Sequence, residues 1–241
     1  MSFFSPKYLV ALLLLVIAVI PLYHAAHCRR DHAIKFPVLR LFSTGILLGL
    51  AVVHLLGDAI ADTQRLEASS IFPILSCLTA LACLGLAHYF HHAIKAGFSA
   101  LLVVMLLILH AFFTGVALEW SLSYGAIYFF ILALVIHKWA ESIAVVVTLS
   151  EARALSLVLR YVVFSLFALA TPLGILIANR LEQYQMFHGL IHPIGGGFAA
   201  GVLIYYSWSS FYGVQKKFSS LPAFLYVMLG FTLMACLSIW V

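Results

Sequence analysis

The sequence contains very little charge and no long polar segment. Only 9% of its 241 residues are charged, whereas 65% are hydrophobic. A typical soluble domain carries about 25% charged residues, so this composition excludes an ordinary soluble protein and indicates that most of the chain lies in lipid. The formal net charge of +5 is explained by the loop asymmetry of a membrane protein, and we expect no nucleic-acid partner.

Cysteines are few, and the sequence shows no Cys-x-x-Cys pair. They are Cys28, Cys77, Cys83 and Cys236. Most lie inside apolar stretches, where a thiol behaves as a small hydrophobic group, so we expect no disulfide and no cysteine-bound metal. No low-complexity linker interrupts the chain either. Residues 1–241 are therefore expected to form a single transmembrane domain without a soluble module.

Eight apolar stretches are long enough to cross a bilayer, whose core of about 30 Å takes roughly 20 helical residues. The predicted helices cover approximately residues 8–23, 36–61, 71–90, 98–120, 126–149, 155–178, 190–212 and 221–241. The first could be taken for a secretory signal, but Arg29 and Arg30 follow it directly and resemble a stop-transfer flank, so we expect a retained helix. The predicted fold class is an all-α polytopic membrane protein.

The distribution of Lys and Arg predicts that both termini are extracytoplasmic. Cytoplasmic loops carry an excess of these residues. With the N-terminus outside, the inner side receives Arg29, Arg30, Lys35, Arg40, Lys95, Arg153, Arg160, Lys216 and Lys217. The outer side then holds only Lys7, Arg65 and Arg180. We expect an integral protein of the cell membrane, either a plasma or an inner membrane.

Ionisable residues nevertheless occur in the middle of two predicted helices. The fourth contains HAFFTG, residues 110–115, and the fifth contains HKWAES, residues 137–142. In each, a histidine precedes an oxygen donor, Thr114 or Glu141, by one helical turn on the same face. At 1.5 Å per residue, His110 and His137 both lie roughly 15–20 Å below the outer surface. Such residues near the bilayer centre are costly and usually line a cavity or a substrate path.

Two imidazoles and a carboxylate at one depth form a ligand set suited to Zn²⁺, with a hydroxyl or water completing four-coordination. We therefore predict a midplane metal site formed by His110, Thr114, His137 and Glu141. Fe²⁺, Cd²⁺, Co²⁺ and Ni²⁺ also suit these ligands, and no resident cofactor is expected. The alternative is that the two histidines only hydrogen-bond across a helix interface while Glu141 pairs with Lys138.

Lys138 is the second charged residue at this depth. It precedes Glu141 by three positions, so the carboxylate can face both its ammonium group and a metal held by His137. Lys138 would then be a fixed positive charge that limits how much cation the site can hold. The alternative is that Lys138 only neutralises Glu141 as part of the structure.

Two further pairs lie toward the outer surface. His54 and Asp58 share one face near the outer end of the second helix and could receive a hydrated cation, or they could be ordinary interfacial polarity. His188 and His192, before the seventh helix, have the same spacing and are weaker candidates for capturing metal. The first pair is thus a possible outer entrance and the second a possible site of outer capture.

A third group of histidines lies on the inner side, after the third helix. It consists of His88, His91 and His92. These side chains could handle released metal. They could equally be interfacial histidines whose polar ends reach toward water.

The two central motifs resemble the signatures of the ZIP family of divalent-metal transporters, H-S/N-x-x-E-G and H-x-x-x-E-G. HLLGDA at 54–59, TPLG at 171–174 and AGVLIY at 200–205 are similar to that family's H-L-L-P-E/D-A, T-P-L-G and A-G-T-F-L-Y. The resemblance implies an eight-helix bundle with inverted repeats relating the first three helices to the last three. It also implies a transport unit of the first, fourth, fifth and sixth helices, and homodimers as a common assembly.

The sequence departs from the family pattern at several of these positions. Thr114 stands where an acid is frequent, Ala111 where Ser or Asn is common, and Ser142 where Gly follows the glutamate. In members that bind two adjacent ions, polar or acidic groups occupy the positions of Ala111 and Lys138. The resemblance therefore implies a single-metal variant in which Glu141 is the only anionic ligand.

The resulting interpretation is a transporter, not an enzyme, that moves Zn²⁺ or a similar divalent cation into the cytoplasm by alternating access. Its expected partners are the metal ion and the lipid bilayer. One alternative is an intramembrane zinc-dependent hydrolase acting on lipid amides, although Glu141 is the sole midplane acid and is already needed as a ligand. Another is a haem protein with His110 and His137 as axial ligands.

Overall fold

The computed structural model describes residues 6–27, 35–89, 96–121, 127–152, 154–183, 191–215 and 220–238. Within these ranges every regular element is helical, and the helices number eight when contiguous pieces are joined. Seven are α1 Pro6–His27, α3 Ile71–Tyr89, α4 Ala96–Ser121, α5 Ile127–Glu151, α6 Leu157–Gln183, α7 Ile191–Gln215 and α8 Ser220–Ser238. The remaining helix, α2, consists of the consecutive pieces Lys35–Gly49, Leu50–Leu55 and Leu56–Arg65.

The middle piece of α2, Leu50–Leu55, is a π-helix. A π-helical turn takes in extra residues and shifts the faces of the helix on either side of it, and such turns are frequent at functional sites. This turn contains His54 and ends shortly before Asp58. The pair predicted as an outer entrance therefore lies where α2 changes its winding.

The helices have the length and apolar character of an integral membrane protein. In the described part of the chain, four are long and apolar enough to cross a membrane, within Pro37–Arg65, Ile131–Glu151, Leu157–Ala178 and Leu221–Ser238. Tyr8–Tyr23, Ile71–Leu86 and Ala100–Val116 are shorter apolar helices. The eight helices agree in number with the sequence prediction, whereas the side on which the termini lie stays a prediction.

The helices pack as two groups of four. The first group, α1, α4, α5 and α6, and the second group, α2, α3, α7 and α8, each make most of their contacts internally, and α2 meets α5 where the groups touch. The principal contacts are preserved when α1, α2 and α3 are exchanged with α6, α7 and α8, and α4 with α5. This pattern is the one expected of inverted repeats.

Small residues allow the closest helix pairs to meet backbone to backbone. A Cβ atom on Gly174 of α6 would lie within 2.2 Å of the Phe112 carbonyl oxygen of α4, and one on Gly115 of α4 would lie equally close to the α6 backbone. Gly45 of α2 and Gly230 of α8 have the same reciprocal relation. Close approach through small residues is a common way for helices to associate in lipid, and here it sets α4 directly against α6.

A polar cluster connects the two groups at the end where α2 begins and α5 ends. Arg40 of α2 forms an ion pair with Glu151 of α5 and donates a hydrogen bond of 2.9 Å to the Ser210 hydroxyl of α7. The Thr44 hydroxyl lies 3.0 Å from the same Ser210 hydroxyl. The predicted topology places this cluster toward the cytoplasm.

We expect Gly174→Ala to separate α4 from α6, because its methyl group would overlap the Phe112 carbonyl oxygen. Forced overpacking of this kind costs about 1–3 kcal/mol, which a lower midpoint of thermal unfolding in detergent would reveal. The matched control is Gly85→Ala, where an added Cβ meets nothing within 4 Å and alanine favours the helix by up to about 1 kcal/mol. Equal midpoints for the two variants would contradict this packing.

Candidate metal site

The structure brings together the two motifs predicted to form the midplane site. His110 of α4 and Glu141 of α5 are both buried, and His110 Nε2 lies 3.1 Å from Glu141 Oε1. The approach does not have hydrogen-bond geometry, since Oε1 is without a hydrogen-bond partner. A nitrogen and an oxygen that could both bind a cation therefore face each other across α4 and α5.

Thr114 lies beside this contact. Its hydroxyl donates a hydrogen bond of 3.0 Å to the carbonyl oxygen of His110, and its oxygen is 3.5 Å from His110 Nε2. The hydroxyl proton is thus engaged by the helix backbone, which leaves the lone pairs of the oxygen directed elsewhere. Thr114 can contribute at most a weak neutral oxygen to the site.

His137 is the predicted ligand that stands apart. Its side chain is buried, at 5% exposed, and neither ring nitrogen has a hydrogen-bond partner. It precedes Glu141 by four residues, so it lies one turn away on the same face of α5. Leaving a buried polar atom unpaired costs about 1–3 kcal/mol, so two such nitrogens on one ring require an explanation beyond packing.

The ligands do not form a closed shell in this conformation. Across the described ranges, no three His, Cys, Asp or Glu side chains are arranged so that one ion could contact them all. His110 and Glu141 are in contact, whereas His137 lies outside that pair. The four-residue metal site consequently stays a prediction, supported by two ligands in place and a third that is buried nearby.

Lys138 occupies the other side of the carboxylate. Its ammonium nitrogen lies 3.5 Å from Glu141 Oε2 and 3.9 Å from the ring centroid of Phe167, and only 1% of the residue is exposed. The two oxygens of Glu141 thus face different neighbours, Oε1 toward His110 and Oε2 toward Lys138. The sequence analysis gave as one alternative that Lys138 only neutralises Glu141. This pairing is present, and it leaves Oε1 of the carboxylate without contact to the lysine.

The sequence did not single out Phe167 of α6, which lies beside the site and is fully buried. Thr171, noted in the sequence only as part of TPLG, has a buried hydroxyl with no hydrogen-bond partner. Phe167, Thr171 and Gly174 occupy one face of α6, at successive turns. The available signal was that Phe167 lies one turn before TPLG, but an aromatic residue in an apolar helix usually indicates only core packing.

The outer pair is formed as its spacing predicted. His54 Nδ1 lies 2.9 Å from Asp58 Oδ2, with the side chains 21% and 59% exposed. Of the second outer pair, His188 lies outside the described residues, and His192 lies in α7 where its side chain is not described. Whether either pair captures metal stays a prediction.

The inner histidine group is described only in part. His88, in the last turn of α3, is exposed, and its ring packs edge-on against Tyr205 of α7 with centroids 6.4 Å apart. His91 and His92 lie outside the described residues. The structure thus places one of the three beside α7 and does not test their handling of metal.

An all-helical membrane protein with donor atoms facing each other deep in its helices has the features of a metal carrier, and comparison with known proteins assigns the family. A family model described as ZIP zinc transporter matches residues 86–238, which include both motif helices. A search of curated proteins found no match. Because the family match covers more than half of the chain, the protein belongs to the ZIP zinc transporter family. Its members are transporters, so the match gives no support to the lipid-amide hydrolase.

We expect His137→Leu to leave the metal-free protein as stable as the wild type or more so, because the substitution removes two buried unpaired nitrogens. It should abolish the stabilisation by Zn²⁺, which for a wild-type site amounts to about 2.7 kcal/mol at 100 times Kd. Thermal unfolding with and without Zn²⁺ measures both effects.

Glu141→Leu provides the contrast for that experiment. It leaves Lys138 buried without its carboxylate, and breaking a buried ion pair in this way costs about 3–5 kcal/mol even in the absence of metal. If the His137 variant keeps the full Zn²⁺-induced rise in unfolding midpoint, His137 is not a ligand.

Proposed function

We propose that this protein carries divalent cations, Zn²⁺ foremost, into the cytoplasm by alternating access, with His110, His137 and Glu141 as the ligands. The observation that carries the proposal is the His110–Glu141 contact beside a buried imidazole whose nitrogens are both unpaired. A cation bound there would satisfy the free nitrogens of His137 and the free oxygen of Glu141 at once. Thr114 or a water molecule would complete four-coordination.

The chemistry of these donors favours zinc. Two imidazoles and one carboxylate suit Zn²⁺ and other borderline ions, whereas Mg²⁺ and Mn²⁺ prefer all-oxygen surroundings. Fe²⁺, Cd²⁺, Co²⁺ and Ni²⁺ share the preference of zinc for nitrogen. These ions would therefore compete with Zn²⁺ for the site, each according to its affinity. The metal is the transported substrate in this proposal and not a resident cofactor.

Lys138 favours a single bound ion. Its ammonium group already holds one oxygen of Glu141, and it repels a second cation at the same carboxylate. It would therefore take the place that a second metal has in a two-ion site. With one anionic ligand, the site would bind zinc less tightly than an acid-rich site and would release it more readily.

The division into two helix groups supports alternating access. The proposed ligands all lie on α4 and α5 of the first group, whereas the His54–Asp58 pair and Arg40 lie on α2 of the second group. If the first group slides against the second, the ion moves with its ligands while its surroundings change from outer to inner. Movement of one helix bundle against another around a midplane site is common among transporters.

The approach and exit follow from the same arrangement. His54 and Asp58 would receive the ion from outside, since a ring nitrogen and a carboxylate oxygen already converge there and both side chains are partly exposed. His88 marks the inner end of α3, where the histidine group would accept released ions. Transport toward the cytoplasm in the plasma or inner membrane rests on the predicted topology, with both termini outside.

We expect proteoliposomes containing the wild-type protein and a zinc-sensitive dye to take up Zn²⁺, and Glu141→Gln and His137→Ala to reduce the initial rate. The loss should be at least tenfold, because even the loss of a partner supporting a metal ligand costs about 10–100-fold in affinity or activity. Excess Cd²⁺ or Co²⁺ should compete with Zn²⁺, and Mg²⁺ should not.

The matched control is Glu67→Gln, which makes the same chemical change at an exposed residue of the turn after α2. Its uptake should equal that of the wild type. Uptake that persists unchanged in both site variants would remove the ligand assignment, and wild-type vesicles no faster than empty ones would remove zinc transport itself.

A further inference from the structure

The Lys138 ammonium group is held between two side chains from different helices. On one side is Glu141 Oε2 at 3.5 Å, and on the other is the face of the Phe167 ring at 3.9 Å from its centroid. Lys138 and Glu141 are each 1% exposed and Phe167 is completely buried. Glu141 and Lys138 both have roles in the proposed metal site, whereas the Phe167 ring has none.

A cation in such dry surroundings needs compensation from every neighbour. The face of an aromatic ring carries partial negative charge and attracts an ammonium group, most strongly when both are desolvated. In the absence of metal, the Glu141 carboxylate attracts the ammonium group more strongly than the ring does. A metal ion bound to Glu141 offsets the negative charge of the carboxylate and also repels the ammonium group.

We propose that Phe167 is a positioning residue that sets the metal affinity of the site by holding the Lys138 ammonium group while Glu141 is engaged with the ion. The inference rests on the proposed function. Without the ring, a bound metal would leave Lys138 buried with no effective partner, which is strongly unfavourable. The ring therefore lowers the free energy of the metal-bound state more than that of the metal-free state.

The position of Phe167 suits this role throughout transport. It lies on α6, which belongs to the same four-helix group as α4 and α5 and is set against α4 by the close approach at Gly174. A movement of this group as a unit would carry the ring, the ammonium group and the ligands together. The compensation would then be the same in outward-facing and inward-facing states.

A double-mutant cycle tests the proposal on the purified full-length protein in lipid nanodiscs, with Zn²⁺ titrated by calorimetry. We expect Phe167→Leu to weaken Zn²⁺ binding about 5- to 30-fold. This factor corresponds to the loss of a desolvated cation–π contact of about 1–2 kcal/mol. Lys138→Met should tighten binding or admit a second ion. Adding Phe167→Leu to Lys138→Met should change the Kd by less than about twofold, because no ammonium group is left to hold.

Phe164→Leu is the matched control, since this neighbouring ring of α6 is also buried and packs at 6.2 Å from the Phe167 ring. It should bind Zn²⁺ like the wild type. If Phe167→Leu does not fold, Phe167→Met fills the space with a flexible apolar side chain and should weaken binding to the same extent. Two results would show that the Phe167 ring only packs. One is that Phe167→Leu weakens Zn²⁺ binding equally in the wild type and in Lys138→Met. The other is that Phe164→Leu weakens it as much as Phe167→Leu does.

Two results separate this inference from the proposed function. Normal zinc uptake by Glu141→Gln and His137→Ala overturns the function, together with the inference that depends on it. Uptake lost in those variants, combined with an additive cycle, leaves the transport site in place and removes only the role of Phe167. An unaltered affinity and stoichiometry in Lys138→Met would further contradict the replacement of a second ion by the lysine charge.

Discussion

The carboxylate of Glu141 is the group on which the rest of the site depends. One of its oxygens faces His110 from α4 and the other faces Lys138 on its own helix, while Phe167 of α6 covers the ammonium group. Three helices of one group are thereby arranged around a single buried negative charge. Such a charge costs several kcal/mol in hydrocarbon unless it has partners, so a chain with 9% charged residues concentrates its midplane ionisable groups within one another's reach.

Helix packing brings these partners together, and the chain achieves it with small residues. The reciprocal approach of Gly115 and Gly174 sets α4 against α6, so a ring on α6 can face a lysine on the neighbouring α5. Polar side chains also lie where the two groups touch, as in the pair between Arg40 of α2 and Glu151 of α5. The proposed ligands therefore all lie on one group of helices, and His54 and Asp58 of the proposed entrance lie on the other. Such a division suits the proposed movement of one helix bundle against the other.

The sequence predicted the features that follow from length and spacing. A run of roughly 20 apolar residues is a strong signal for a spanning helix. Counting residues from the loop predicted His110 and His137 at one depth, whereas the structure sets His110 against Glu141, one turn further along α5. Spacing fixes which helix face a residue occupies but not its side-chain torsions, so the position of His137 outside that contact could not be foreseen. Phe167 was missed because its partner, Lys138, lies on another helix. The π-helical turn of α2 was missed because no residue type marks the position of such a turn in a sequence.

The most direct test of the central claim is a structure of the protein determined with Zn²⁺ bound, in which anomalous scattering at the zinc edge locates the ion. We predict one midplane ion bonded to His110, His137 and Glu141 at about 2.0–2.2 Å, with the His137 ring turned toward the His110–Glu141 pair. Zinc bound elsewhere with none of these three ligands, or two ions side by side at the midplane, would contradict it.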